Sequence, residues 1–391
     1  MQKKEKFFNL PRQLTEKDYL ETVELLINKL SKDSNILSVY QTGSVSAPGI
    51  SDLDIFIVYK KNNNLIEEIN PWKLSEKANF IFTHRCNYLD QEIFTNLYYL
   101  IPETSPLRLL YGNDQMINLP QKELKEIDYR FLQAQLIFDL LINKLLLFPR
   151  YLIYKDIDVR RLLNEFYSLK YSLEMLEIVT QKKYKKDFVE EIRNLRQNWF
   201  SKNLSQNLKD LLEIRKKAIE TVLFILRELT EFTKENWRFE SNKIIYFFTP
   251  RLFIKFESSE NLTTENFIES FNRGYISIKN IISKSNFESF KLALPSPLLV
   301  YLLSYCLGKG IFSEYFKKNF RKLDFNKILQ NFTLPLGINK HVIISNQLAE
   351  EAIKRKGLCK IPFSYDFSPA PETFLSKIGK NLILLIRIIK R

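Results

Sequence analysis

The residues best placed to do chemistry lie between Thr42 and Ile57. Asp52 and Asp54, separated only by Leu53, lead into the apolar run Ile55-Phe56-Ile57. Side chains alternate along a strand, so two acids at this spacing point to one face, about 6.6–6.8 Å apart at Cα. Carboxylates so placed can share one or two hard divalent cations. Gly43-Ser44 begins nine residues before Asp52, at the end of a short apolar strand. Glycine permits close backbone approach, and the Ser44 hydroxyl with neighbouring N–H groups can cradle a phosphate. A phosphate cradle beside a pair of metal-binding carboxylates suits in-line transfer at phosphorus.

This pattern resembles the signature of the polymerase-β-like nucleotidyltransferase superfamily: a Gly-Ser pair, a spacer, and Asp-hydrophobic-Asp on the next strand. Gly43 and Ser44 match the pair, Asp52 and Asp54 match the metal ligands, and Ser51 matches a frequent serine before the first acid. The resemblance covers residues 14 to about 112. It implies a metal-dependent enzyme that moves a nucleoside monophosphate from an NTP to an acceptor, a small molecule or a protein, with release of pyrophosphate. It implies Mg²⁺ or Mn²⁺ on Asp52 and Asp54, and the β/γ-phosphates on Gly43 and Ser44. A third carboxylate is implied as well, holding the metal that activates the acceptor oxygen. Asp90 is the first choice for it and Glu92 the second. Both equally fit acids in the first turn of a helix, where the dipole favours them. Without a third carboxylate, the chain would bind a nucleotide as a regulator or scaffold and not turn it over.

A bare Asp-x-Asp carries no weight, and the chain supplies its own control. Asp156-Ile157-Asp158 has no Gly-Ser upstream and precedes a helix, so Asp158 is read as an N-cap. His84 and Arg85 either line an acceptor pocket or form a structural pair. His341 is read as a surface residue.

Several elements must position the acids. A helix is expected over 14–30, with Thr15 as N-cap and Leu20, Val23, Leu26, Ile27 and Leu30 on its apolar stripe. Strands are expected at 36–41, 52–59, 80–88 and 107–112, with a helical stretch at 65–78. Residues 124–237 contain no glycine and one proline, Pro149. Helices near 127–148, 158–180, 186–199 and 204–235 suit a bundle, with Pro149 ending the first. Further on, Lys243–Phe248 and Leu252–Phe256 read as a hairpin, followed by helical stretches near 264–283, 297–307 and 312–330. Residues 331–372 look irregular, and a basic amphipathic helix closes the chain over 374–391. The fold class is α+β, mixed: a nucleotidyltransferase α/β domain with a mixed sheet (1–118), a helical bundle (119–240) and a C-terminal α+β region (241–391). The active site is expected between the first two, where the bundle can supply cations.

Composition bounds the remaining options. The 391 residues are 45% hydrophobic and 27% charged, which excludes wholesale disorder. Three dispersed cysteines and two histidines argue against a disulfide framework and a Cys/His zinc site. No signal peptide or transmembrane segment is legible, so a cytoplasmic protein is expected. The net charge of +14 divides into −2 over residues 1–120 and +16 over the rest. That excess suits an anionic partner, nucleic acid or lipid, for the C-terminal two-thirds, or a plain lysine-rich surface. The terminal helix could equally lie on an anionic membrane or dock on the protein itself.

Overall fold

The computed structural model describes residues 5–60, 69–154, 156–237, 245–249, 252–258, 288–308 and 334–354. The chain is mixed α+β. Its first strand, β1 (Lys6–Phe8), runs parallel to a distant strand, β6 (Asp156–Asp158). Helix α1 (Glu16–Leu30) follows, opened by a capping box in which Thr15 and Asp18 satisfy each other's end of the first turn. It buries Tyr19, Val23, Leu26 and Leu30, whereas Leu20 is half exposed, so the buried stripe is rotated from the expected one.

A four-stranded mixed sheet comes next, in the order β4-β3-β2-β5. Strand β2 (Ile36–Thr42) is antiparallel to β3 (Asp54–Tyr59) and to β5 (Leu107–Gly112). Strand β4 (Asn87–Asp90) is parallel to β3. The parity of β3 divides two apolar layers. Leu53, Ile55, Ile57 and Tyr59 pack with α1 and the short helix α2 (Glu76–Ile81). Phe56 and Val58 face the other way, toward α3 (Gln91–Thr95) and the bundle. Asp54 has the parity of Phe56, so it stands on the bundle side.

After α4 (Pro120–Glu123), the bundle consists of α5 (Glu126–Tyr154), α6 (Val159–Tyr167), α7 (Leu169–Thr180), α8 (Asp187–Gln197) and α9 (Leu204–Asn236). Pro149 does not end the first of these. It forfeits one backbone bond, and the helix continues for five residues beyond it. The expected helix over 158–180 is two, parted at Ser168. One apolar core crosses from the sheet into the bundle, taking in Tyr40, Phe56, Phe131, Ile137, Phe166 and Leu226.

Farther along, β7 (Ile245–Thr249) pairs antiparallel with β8 (Leu252–Ser258), as a hairpin would, and β9 (Glu288–Leu294) runs parallel to β8. Helices Leu299–Gly308 and Leu336–Lys354 pack with α5. The second lies where irregular chain was expected, and it corrects the reading of His341. That side chain is buried, its Nδ1 2.6 Å from the Tyr99 carbonyl and its Nε2 3.1 Å from Asp139. The expected helices at 264–283, 312–330 and 374–391 lie outside the described residues. No helix among the described residues is long and apolar enough to cross a membrane.

Candidate functional site

Asp54 is the first residue of β3, and its register partner on β2 is Thr42. The next residues after Thr42 are Gly43 and Ser44, so the sheet itself sets the Gly-Ser turn beside the acid pair. Gly43 has φ +71°, a conformation that side-chain-bearing residues rarely adopt, and the space a Cβ would enter is open. Its own N–H is taken by the Pro106 carbonyl at 3.0 Å, so it is not one of the donors expected for a phosphate. Ser44 is exposed. Strand β3 begins two residues later than expected, which leaves Asp52 in the extended segment leading into it.

The loop between Ser44 and Asp52 is held from behind by four side chains, one of them Asn164 of α6, whose Nδ2 donates to the Ile50 carbonyl at 3.0 Å. From α1, the Tyr19 hydroxyl donates to the Ser51 carbonyl at 2.6 Å and accepts from the Gly49 N–H at 3.0 Å. From α6, Arg160 is 2% exposed and spends its guanidinium on backbone carbonyls alone. Its Nε donates to Ile50 at 2.9 Å, its Nη2 to Ser51 at 2.8 Å and Ile81 at 3.0 Å, and its Nη1 to Phe80. Two of those carbonyls close the C-terminal end of α2, where a helix lacks internal partners. From α8, Arg196 Nη2 donates to the Ser51 hydroxyl at 2.9 Å. Ser51 is therefore buried, and its hydroxyl also accepts from the Ala47 N–H. It holds the turn and does not line the open side, which corrects its expected place among the ligand-binding residues.

The bundle side of this loop is cationic and aromatic. The Tyr167 phenol lies beside Ser46, Arg193 and Lys170. The Lys170 ammonium lies 4.6 Å from the Tyr167 ring centre and 4.5 Å from that of Tyr171, and the Arg196 guanidinium 4.2 Å from the Tyr167 ring. Burial would raise the Tyr167 phenol, but the charge of Lys170 and polar contact with Arg193, Lys170 and Ser46 bring it below its ordinary value. Burial lowers the Arg196 guanidinium to about 10.

At the open side, Asp52 and Asp54 are joined by His84. The ligating atoms of the three lie within 4.8 Å of one another. His84 Nε2 is 2.6 Å from Asp54 Oδ1, and Nδ1 is 2.7 Å from the Arg85 carbonyl. The Thr83 hydroxyl donates to Asp52 Oδ2. Burial would lower the imidazole, but the hydrogen bond to Asp54 and the charges of both acids outweigh it and raise His84 to about 9. Both ring nitrogens face acceptors, the Asp54 carboxylate and the Arg85 carbonyl, which favours the protonated ring. Burial, and then the negative charge of Asp54, push Asp52 above its ordinary value. The two carboxylates fit the hard cation that the resemblance implies. The third donor is an imidazole.

Asp90 does not join them. It caps α3, its carboxylate accepting from the Ile93 N–H at 2.8 Å, and its register partner is Tyr59, at the far end of β3. Five residues of strand separate Tyr59 from Asp54, roughly 16 Å. Because β4 is parallel to β3, its last residue lies at the tail of the sheet, while the segment before it lies at the head. Glu92, in the first turn of α3, belongs to the tail as well. The same register finds His84. Asn87 pairs with Phe56, so two residues back along each strand places residue 85 beside Asp54. Asp158 is an N-cap, accepting from the Arg161 N–H at 3.0 Å.

No known protein-family model matches this sequence, and no curated protein matches it.

Proposed function

We propose that the chain is a metal-dependent nucleotidyltransferase. It would take an NTP as donor and move a nucleoside monophosphate to a small-molecule or protein acceptor. An acceptor oxygen attacks the α-phosphorus, the bond to the β-phosphate oxygen breaks, and pyrophosphate leaves. The observation that carries this reading is the register Thr42–Asp54, which sets an open, positive-φ Gly43-Ser44 turn beside two carboxylates held near each other. A divalent cation on Asp52 and Asp54 would neutralise charge on the transferring phosphoryl group and polarise the attacking oxygen. The chain's own part is positional. Arg160 and Tyr19 fix the loop, and Thr83 and His84 orient the two acids. Lys170 supplies positive charge beside the loop for the donor's phosphates.

A second reading is a nucleotide-binding relative without turnover. It is favoured by the donor set at the pair, where among the described residues an imidazole stands and no third carboxylate does. One experiment separates the two. The protein is melted with each of ATP, CTP, GTP and UTP, with and without Mg²⁺, beside an Asp52→Asn/Asp54→Asn variant, and pyrophosphate release is followed with candidate acceptors. Ligand at a hundredfold its Kd should add about 2.7 kcal/mol of stability. A metal-dependent shift lost in the variant, with pyrophosphate release, supports the transferase. The shift without release supports the regulator. No shift with any nucleotide sinks both.

A further inference from the structure

We propose that His84 is the third protein ligand of a divalent metal centre with Asp52 and Asp54, and that this mixed nitrogen–oxygen set takes Mn²⁺ in preference to Mg²⁺. The inference deepens the reading above. It rests on that reading for the presence of a metal, and not for the reaction.

Four features carry it. His84 Nδ1 faces the Arg85 carbonyl, which can only accept, so Nδ1 bears a proton and Nε2 is the nitrogen turned toward the acids. A backbone carbonyl on the far nitrogen is the usual way a ligating imidazole is oriented. The donor atoms are also already gathered, with Nε2 2.6 Å from Asp54 Oδ1 and all three within 4.8 Å of one another. Donors at about 2.1 Å from a common ion lie roughly 3–4 Å apart, so small movements suffice to admit it. Third, one short segment serves both acids, since Thr83 holds Asp52 and its neighbour His84 holds Asp54. Last, the side chains of His84 and Asp54 are 35% and 41% exposed. Coordination positions therefore remain open for water or phosphate oxygens, as a catalytic centre requires. Mg²⁺ is held by oxygen donors, whereas Mn²⁺ shares its liking for carboxylates and, at the start of the first-row series, also gains from a nitrogen donor, so an imidazole in place of a carboxylate moves the preference toward Mn²⁺.

The test uses Mn²⁺ alone, titrated into the full chain and followed by loss of the free-ion electron paramagnetic resonance signal, with Mg²⁺ as competitor. Spin-echo modulation on the Mn²⁺-loaded protein then reads directly bound nitrogen. The chain has two histidines, and His341 is buried elsewhere against Tyr99 and Asp139. The expected result is saturable Mn²⁺ binding displaced only by excess Mg²⁺. A nitrogen modulation should accompany it and change on ¹⁵N-histidine labelling. His84→Gln should abolish the modulation and weaken Mn²⁺ at least tenfold, roughly the loss seen when a ligand's orienting partner alone is removed. His84→Asp should shift the preference toward Mg²⁺. Mn²⁺ binding without nitrogen modulation overturns the proposal, as does an unchanged affinity in His84→Gln or no saturable binding. Should a variant not fold, the modulation in the wild-type protein decides. Nitrogen modulation together with no response to any nucleotide would keep the centre and sink the proposed reaction.

Discussion

The chain carries the same tripeptide pattern twice, and the two copies serve different ends. Asp52-Leu53-Asp54 leads into a strand and Asp156-Ile157-Asp158 leads into a helix. At the helix, free N–H groups claim the carboxylate of Asp158, which bonds Arg161 and is tied to the N-terminal arm through Asn9. At the strand, the backbone of β3 is satisfied by its neighbours, so Asp52 and Asp54 are left to side-chain partners. Asp90 repeats the lesson, because it also precedes a helix and is absorbed as its cap. An acid's availability for chemistry is thus decided by the element that follows it. Arg160, two residues after one pair, holds the loop that leads into the other.

The sharpest way to break this comparison is to cut that link. Arg160→Met removes the side-chain donor to the Phe80 and Ile81 carbonyls and one of two donors at Ile50 and Ser51, which keep Asn164 and Tyr19, around a guanidinium that is 2% exposed. The expected loss is about 3–5 kcal/mol, read as a fall in urea midpoint. The cap on Arg161 does not involve the Arg160 side chain, so α6 should survive while the acid pair loses its geometry. A loss below about 1 kcal/mol would mean that Tyr19, Asn164 and Arg196 suffice to hold the loop.

Next, the two pairs should respond with opposite signs. Asp158→Ala removes a helix cap and should cost about 0.5–2 kcal/mol, with nucleotide-dependent stabilisation intact. Asp52→Asn should behave inversely. Burial and the neighbouring Asp54 raise Asp52, so the native state holds its proton to higher pH than the unfolded chain does. Its charge thus weakens the fold once pH exceeds the unfolded value. At pH 7, Asp52→Asn should melt at or above the wild-type temperature while losing the metal-dependent response to nucleotides. Equal destabilisation by both changes would erase the distinction between a capping acid and a free pair.

The sequence made the first pair legible because its signals are local. A glycine at a strand end, alternation after Asp54 and a capping box at Thr15 each act within a few residues, and β2, β5 and α1 stand close to their expected positions. What it could not supply was register between distant strands. Asp90 was attractive because it follows an apolar run, and only the parallel pairing of β4 puts it at the wrong end and His84 at the right one. Nor could Arg160 be seen, since an arginine in the first turn of a helix reads as a solvated charge until the loop it satisfies is packed over it. The stretch 331–372, expected to be irregular, is helical over 336–354, and the mismatch has a related cause. The prolines at its margins obscured a helix, Leu336–Lys354, whose buried face is defined by tertiary contact with α5.

The smallest effect sharpens the comparison most narrowly, because it concerns the titratable partner of the first pair, His84. His84 is raised from its ordinary 6.5 to about 9 by Asp54, against the effect of burial. A histidine whose folded value exceeds its unfolded one stabilises through its protonated form. That contribution is complete below pH 6.5 and disappears as pH rises through about 9. The pair is more than a third exposed to solvent, which holds the effect to about 1 kcal/mol. Without added metal, the melting temperature should therefore fall between pH 6.5 and 9 in the wild-type protein. The fall should be shallower in His84→Gln, where the residual slope belongs to the rest of the chain, and unchanged in Asp158→Ala. Identical slopes in all three would show that the Asp54–His84 contact contributes nothing to the free protein.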